Sequence, residues 1–268
     1  MMRWLVIILL FQCLSTDGSR SHLFSFKAKK YIVVISHREI ILMCPKILFK
    51  PFFRLLTASA DYVEVDVRMT KDEQFIVMHN ATVDKMTNGS GAIKELGFEE
   101  IKKLRINNQN NDGKIYLIPS FEEILELCRG KIKIYLDFKD GDVEKAFNLI
   151  KKHEMQNDVA VYINSEKLYD EWKKIAPELP LISSIPSKAS FEESGDFLQI
   201  KKINIVDNAY ESSTVKFLHK KNIKIWLDVE SDEEGPEVWQ KALNLNIDGL
   251  QTDHPEQLIQ YLISKKLR

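Results

Sequence analysis

Glycine and proline are scarce in this chain, at 10 and 8 of 268 residues, which excludes a low-complexity or fibrous protein. Cysteine is scarcer still. Cys13, Cys44 and Cys128 are the only three and form no C-x-x-C pair, so neither a structural zinc site nor a redox dithiol is indicated. Cys44 and Cys128 are expected as isolated buried thiols rather than a disulfide. An excess of charge of one sign is also missing. The chain carries 38 Lys and Arg against 39 Asp and Glu, a net charge of −1. The basic footprint of a nucleic-acid binder is therefore absent. The clusters Lys27, Lys29, Lys30 and Lys201, Lys202 read as solvated surface.

The apolar run Trp4–Phe11 is too short to span a bilayer comfortably. It follows Arg3 and precedes the small and polar residues Ser15, Thr16, Asp17 and Gly18, the order of a secretory signal. Residues 1–18 are accordingly expected to be a signal peptide, and the product to be exported: secreted, periplasmic or membrane-anchored. Gln12 occupies the position where lipidation at Cys13 would want a small residue. Membrane contact is expected only through the leader or a lipid anchor.

What is present is a core-sized apolar fraction, 44% of residues, arranged in a repeating order. Short β-rich runs occur at Tyr31–Ile35, Tyr62–Val67, Phe75–His79, Ile132–Asp137, Val159–Ile163, Leu181–Ile185, Ile203–Val206, Ile223–Leu227 and Gly249–Thr252. Between most of them lie helix-period segments at Phe121–Cys128, Val143–His153, Glu166–Ile175, Ser213–Lys220, Pro236–Leu245 and Pro255–Lys265. This alternation predicts an α/β protein with a parallel sheet covered by helices. At this length it predicts a TIM-like (β/α)8 barrel over residues 30–268. Nine strand candidates exceed eight staves. Only Lys71–Gln74 separates the second from the third, too little for a crossover, so these two are expected to form a hairpin turning at Asp72–Glu73 with Asp66 opposite His79. Residues 80–117 break the rhythm and read as an insertion over one mouth of the barrel.

Four strand ends carry chemistry: His37-Arg38, Glu64-x-Asp66, His79 and Asp137-x-Lys139. Glu64 and Asp66 share one side of a strand, as do Asp137 and Lys139. The acids either face solvent or share the barrel interior, where a hard divalent cation would offset their charge. In a barrel all parallel strands present their C-terminal ends to one mouth, which would gather these seven groups. Their types suit phosphodiester cleavage: a cation and bound anion partners to offset charge, and imidazoles to move protons. Trp226, near another strand end, is a candidate substrate wall, with a core or rim position as the alternative.

These residues sit within a longer series: Ala60–Val67, Thr70-Lys71-Asp72, Val77-Met78-His79-Asn80, Thr87–Gly91, Ile118–Glu123, Tyr135–Lys139 and Asp248–Pro255. In that order, together with His37-Arg38, they resemble the glycerophosphodiester phosphodiesterase family. The resemblance implies a metal-dependent phosphoric diester hydrolase that converts glycerophosphodiesters to glycerol 3-phosphate and an alcohol. It implies His37 and His79 as the acid–base pair, Arg38 and Lys139 as phosphate-binding groups, and Glu64, Asp66 and Asp137 as ligands of Mg²⁺ or Ca²⁺. The partner it implies is a small-molecule glycerophosphodiester or lysophospholipid.

The chain also departs from the family pattern. Glu39 replaces the Gly expected after Arg38, and Lys46 replaces the Glu expected after Pro45, although the interval from His37 to Glu64 keeps its length. A local reading-frame error and true divergence both fit the segment Glu39 to Leu56. Asp137 stands for the usual Glu and Asn80 for the usual Asp. The alternative function is a catalytically impaired barrel that binds phospholipid or glycerophosphate. Thr252-Asp253-His254-Pro255 is expected to open the last helix, with Asp253 as its N-cap.

Overall fold

The computed structural model describes residues 30–37, 60–107, 115–186, 197–199 and 201–268. The leader, Arg38, Cys44 and the unusual segment from Glu39 to Leu56 lie outside these residues. Nine strands are seen among the described residues: β1 (Val33–Ser36), β2 (Tyr62–Met69), β3 (Phe75–Val77), β4 (Lys133–Phe138), β5 (Val159–Tyr162), β6 (Leu181–Ser183), β7 (Ile205–Val206), β8 (Lys224–Asp228) and β9 (Gly249–Thr252). Each falls within or beside an expected run. Eight of them pair in parallel in the order β1-β9-β8-β7-β6-β5-β4-β2, and pairing of β1 with β2 closes the barrel. Helices cover the outside, as the periodicity predicts. They include Phe121–Cys128, Val143–Lys152, Glu166–Ile175, Ser212–Lys220, Pro236–Asn244 and Pro255–Ser264.

Local chemistry fixes several helix starts. Ser120 and Glu123 form a reciprocal capping box, with Ser120 Oγ accepting from Glu123 N at 3.1 Å and Glu123 Oε2 accepting from Ser120 N at 2.7 Å. Asp142 caps the next helix through Lys145 N at 2.9 Å. Pro236 and Pro255 occupy first-turn positions, where the missing N–H costs nothing. At the opposite end of the barrel from the strand C-termini, Asp61 ties the segment around β1 to Arg268. It accepts from Val34 N at 2.8 Å, Tyr31 Oη at 2.6 Å and Arg268 Nη1 at 2.6 Å.

The ninth strand is the antiparallel partner of β2, as the short link requires, but its register differs from expectation by one residue. Val67 faces Val77 and Met69 faces Phe75, which places Asp66 opposite Met78 rather than His79. The cause is a three-residue loop, Lys71–Glu73, closed by Thr70 N donating to Gln74 O at 2.8 Å. Glu73 adopts φ 60°, the left-handed residue that such loops require. The insertion docks on this turn: Lys71 N donates to Leu96 O at 3.0 Å, and Asp72 Oδ1 accepts from Phe98 N at 2.9 Å.

Two apolar layers result. The larger lies between strands and helices. The smaller lies inside the barrel and comprises Ile35, Tyr135, Ala160, Ile182, Ile205 and Trp226. Gly249 leaves room for the indole of Trp226. A Cβ there would stand 2.6 Å from Cδ1 of that ring, which is wedged against Tyr62 at a centroid distance of 4.9 Å. Gly249→Ala is therefore expected to destabilise the protein by about 1–3 kcal/mol through overpacking. Urea unfolding should show a lower midpoint at an unchanged slope; an unaltered midpoint would mean that the indole can yield.

Candidate active site

Inward-facing positions recur every second residue along each strand. Two residues beyond the apolar positions Ile35, Tyr135, Ala160, Ile205 and Trp226 stand His37, Asp137, Tyr162, Asp207 and Asp228. All five line one cavity of about 150 Å³ at the C-terminal mouth. Glu64, Asp66, His79 and Lys139 line it as well, joined by Tyr135, Glu230 and Gln251. The fold thus brings together six of the seven sequence-predicted groups; the seventh, Arg38, lies outside the described residues. Trp226 does not line the cavity. It is 4% exposed and sits one layer below, so the substrate-wall position gives way to the core alternative.

Glu64 and Asp66 face the barrel interior, at 4% and 1% exposure, and not solvent. Asp66 and Asp137 are direct partners across β2 and β4. One oxygen from each of Glu64, Asp66 and Asp137 lies within 4.8 Å of the others. Lys139 Nζ approaches Asp137 Oδ2 at 2.5 Å and Asp66 Oδ1 at 2.9 Å. The second contact is an ion pair, and among the described residues neither oxygen of Asp66, nor Asp137 Oδ1, has a hydrogen-bond partner of good geometry. A buried carboxylate is costly unless a cation compensates. Three carboxylate oxygens this close together are hard ligands that fit a divalent ion, which bonds at about 2.0–2.6 Å. Burial pushes the Asp137 carboxyl above its ordinary range, with Lys139 countering. Burial would lower the Lys139 ammonium, but Asp137 and Asp66 outweigh it and hold the group above the usual lysine value.

His79 is held at three points. Met78 N donates to Asp66 O at 3.0 Å and Arg68 Nε donates to His79 O at 3.0 Å. Its ring Nδ1 lies 3.0 Å from Asn80 Oδ1, so the Asn that replaces the family's Asp retains the oxygen acceptor. His37 is held differently. Its N donates to Thr252 O at 3.0 Å, and its Nδ1 meets Glu230 Oε2 and Asp253 Oδ1, each at 2.8 Å. Burial alone would disfavour the imidazolium; the bond to Glu230 with its charge, then Asp253 and Glu64, prevail and push His37 up to about 9. Asp253 is consequently not the helix cap. The N-cap position belongs to His254, whose side chain makes no capping bond.

Asp207, Asp228 and Glu230 carry no expectation from the sequence, and Asp253 is expected there only as a helix cap. For the first two a signal exists: each is an acid two residues beyond an inward apolar side chain. Glu230 opens the polar stretch Glu230–Glu234, which looks like solvated loop.

A closed α/β barrel with an acidic, cation-fitting cleft flanked by two imidazoles defines the class. Comparison with known proteins then supplies the family. Residues 53–257 match the model of the glycerophosphoryl diester phosphodiesterase family, and the chain belongs to it. A glycerophosphodiester phosphodiesterase of Caldanaerobacter subterraneus is 29% identical over 246 residues, covering 85% of this chain and 96% of that protein. Two solved structures share the fold. One is a glycerophosphodiester phosphodiesterase from Agrobacterium tumefaciens, with TM-score 0.72 and 22% identity, covering 85% of this chain and 99% of that one. The other is an Oleispira antarctica phosphodiesterase in complex with the product sn-glycerol-3-phosphate, with TM-score 0.72 and 19% identity, covering 87% and 97%.

Asp207 yields a pH test. Burial raises its carboxyl from 3.8 to about 6, Asp228 and Asp137 adding to the effect against the 2.8 Å bond from Ser184. Between these values the folded chain binds more protons than the unfolded one, so stability falls as pH rises through that window. In EDTA, Asp207→Asn is expected to match the wild type near pH 4 and to exceed it by roughly 1–3 kcal/mol at pH 8. Denaturant melts at both pH values read this directly; a difference independent of pH would refute it.

Proposed function

We propose that the protein hydrolyses glycerophosphodiesters to glycerol 3-phosphate and an alcohol, assisted by a divalent cation. The observation that carries this reading is that oxygens of the buried Glu64, Asp66 and Asp137 lie within 4.8 Å of one another, in one cavity with His37, His79 and Lys139. Family membership and the names of the relatives support the same substrate class.

In this reading Glu64, Asp66 and Asp137 hold Mg²⁺ or Ca²⁺. When bound, the cation offsets charge on a non-bridging phosphoryl oxygen and acidifies a nearby hydroxyl. Lys139, already inside the cavity, neutralises the phosphate as charge builds on it, and Arg38, next to His37 in sequence, does the same. One imidazole takes the proton of the attacking oxygen as its bond to phosphorus forms. The other delivers a proton to the departing alcohol oxygen as that P–O bond breaks. The cavity's lining of acids, imidazoles, tyrosines and Lys139 suits the polar phosphoglycerol part of a substrate.

Purified protein should release choline from glycerophosphocholine with Mg²⁺ or Ca²⁺ and lose that activity in EDTA. His37→Ala and His79→Ala should each lower kcat by about 100-fold or more. Asp66→Asn should raise the cation concentration needed for half-maximal rate. Turnover that persists in EDTA, or survives His37→Ala, would sink the mechanism. Binding of glycerophosphocholine without turnover would instead identify a binding barrel.

A further inference from the structure

His37 is the one cavity-lining side chain whose ring nitrogen meets two carboxylates. Glu230 Oε2 and Asp253 Oδ1 both lie 2.8 Å from Nδ1. Neither acid is itself loose. Glu230 follows β8, where its N donates to Asp228 Oδ1 at 3.0 Å and Val229 N donates to Gln251 O at 3.2 Å. Asp253 follows β9, and its N donates to Glu234 Oε2 at 3.0 Å. Glu234 in turn accepts from Trp239 Nε1 at 2.8 Å and from the Thr252 hydroxyl. A chain of contacts therefore runs from the helix Pro236–Asn244, through Glu234 and Asp253, to the imidazole.

We propose that Glu230 and Asp253 are positioning residues for His37: together they bind a proton on Nδ1 and so aim Nε2 at the cavity. The hydrogen bond made by one ring nitrogen sets what the other can do. With two acceptors on Nδ1, rotation of the ring or a switch to the other tautomer would cost both contacts and leave the largely buried Glu230 carboxylate without its imidazole partner. A single carboxylate would orient the ring. The second acceptor, from a different strand end, also resists a swing of the ring toward either one. The upward shift of His37 agrees with charged acceptors on this nitrogen. The groups that face the ring are Glu230 after β8, Asp253 after β9 and Glu64 on β2.

The same three side chains are spaced so that they could hold a metal ion. The test must separate that use from positioning. It also rests on the reading of His37 as an acid–base group, so one readout is chosen that needs no turnover. Nitrogen-15 NMR of histidine-labelled protein, with His37 assigned by its loss in His37→Ala, reports which ring nitrogen carries a proton. In the wild type at pH 8 Nδ1 is expected to be protonated. In Glu230→Gln/Asp253→Asn, His37 is expected to shift toward the neutral ring protonated on Nε2. The single variants keep one carboxylate each and should show intermediate spectra; they serve if the double variant folds poorly. With glycerophosphocholine, the double variant should lose about 100-fold in kcat with KM within about twofold of wild type. Titration calorimetry with Mn²⁺ should give the same stoichiometry in wild type and double variant. An unprotonated Nδ1 in the wild type, an unchanged His37 spectrum in the double variant, or the loss of one bound Mn²⁺ would each overturn the proposal. If the spectra behave as expected but kcat is unmoved, the positioning stands and the catalytic reading of His37 fails.

Discussion

Three carboxylates, on two neighbouring parallel strands, are held inside a barrel mouth where few donors reach them. At 4.8 Å or less, each pair of ionised carboxylates would repel by about 3.5 kcal/mol or more even at an effective dielectric of about 20. The closeness is built into the backbone, because Asp66 and Asp137 are registered across the sheet and Glu64 shares the strand face of Asp66. Among the described residues, Lys139 is the cation that touches Asp66 and Asp137. The rest of the mouth is arranged around that cluster.

The surrounding architecture holds the frustrated cluster in place and keeps it usable. Below it, the layer of Ile35, Tyr135, Ala160, Ile182, Ile205 and Trp226 is buried and apolar, and closes the barrel interior beneath the acids. Beside it, the hairpin of β2 and β3 extends the wall and returns the chain with His79 at the level of the acids. The Arg68–Asp140 ion pair at 2.6 Å, with Asp140 Oδ1 also accepting from Met69 N at 2.9 Å, pins the turn through which β2 leaves the barrel. Stability invested in these supports permits a site that is unfavourable by itself.

Much of this was legible in the chain. Strand and helix periods differ enough that all nine strands and the six principal helices could be placed, and the interval Lys71–Gln74 forced a hairpin. The register was not legible, because the left-handed residue of the turn is Glu73 and not Gly or Asn, the usual marks of such a loop. Glu64, Asp66, His79, Asp137 and Lys139 stood out because acids, imidazole and amine end apolar strands. Asp207 and Asp228 obey the same alternation, and were hidden only because β7 and β8 carry no second polar marker. Asp253 was obscured by a competing local rule, since an Asp two residues before Pro resembles a helix cap. Its true partner, His37, is 216 residues away, and nothing local encodes that contact.

The two imidazoles face the same cavity from unlike surroundings. His37 bonds to carboxylates from two strand ends, whereas His79 bonds to the neutral amide of its neighbour Asn80. Asn80 thus gives His79 a neutral partner where His37 has two charged ones, and the two rings are electrostatically unequal. In the hydrolysis proposed above, a proton donor and a proton acceptor are needed at once, and two imidazoles with unlike partners suit that division. In this chain the inequality arises from side chains that touch the rings, Glu230 and Asp253 on one side and Asn80 on the other, and is set before any substrate enters.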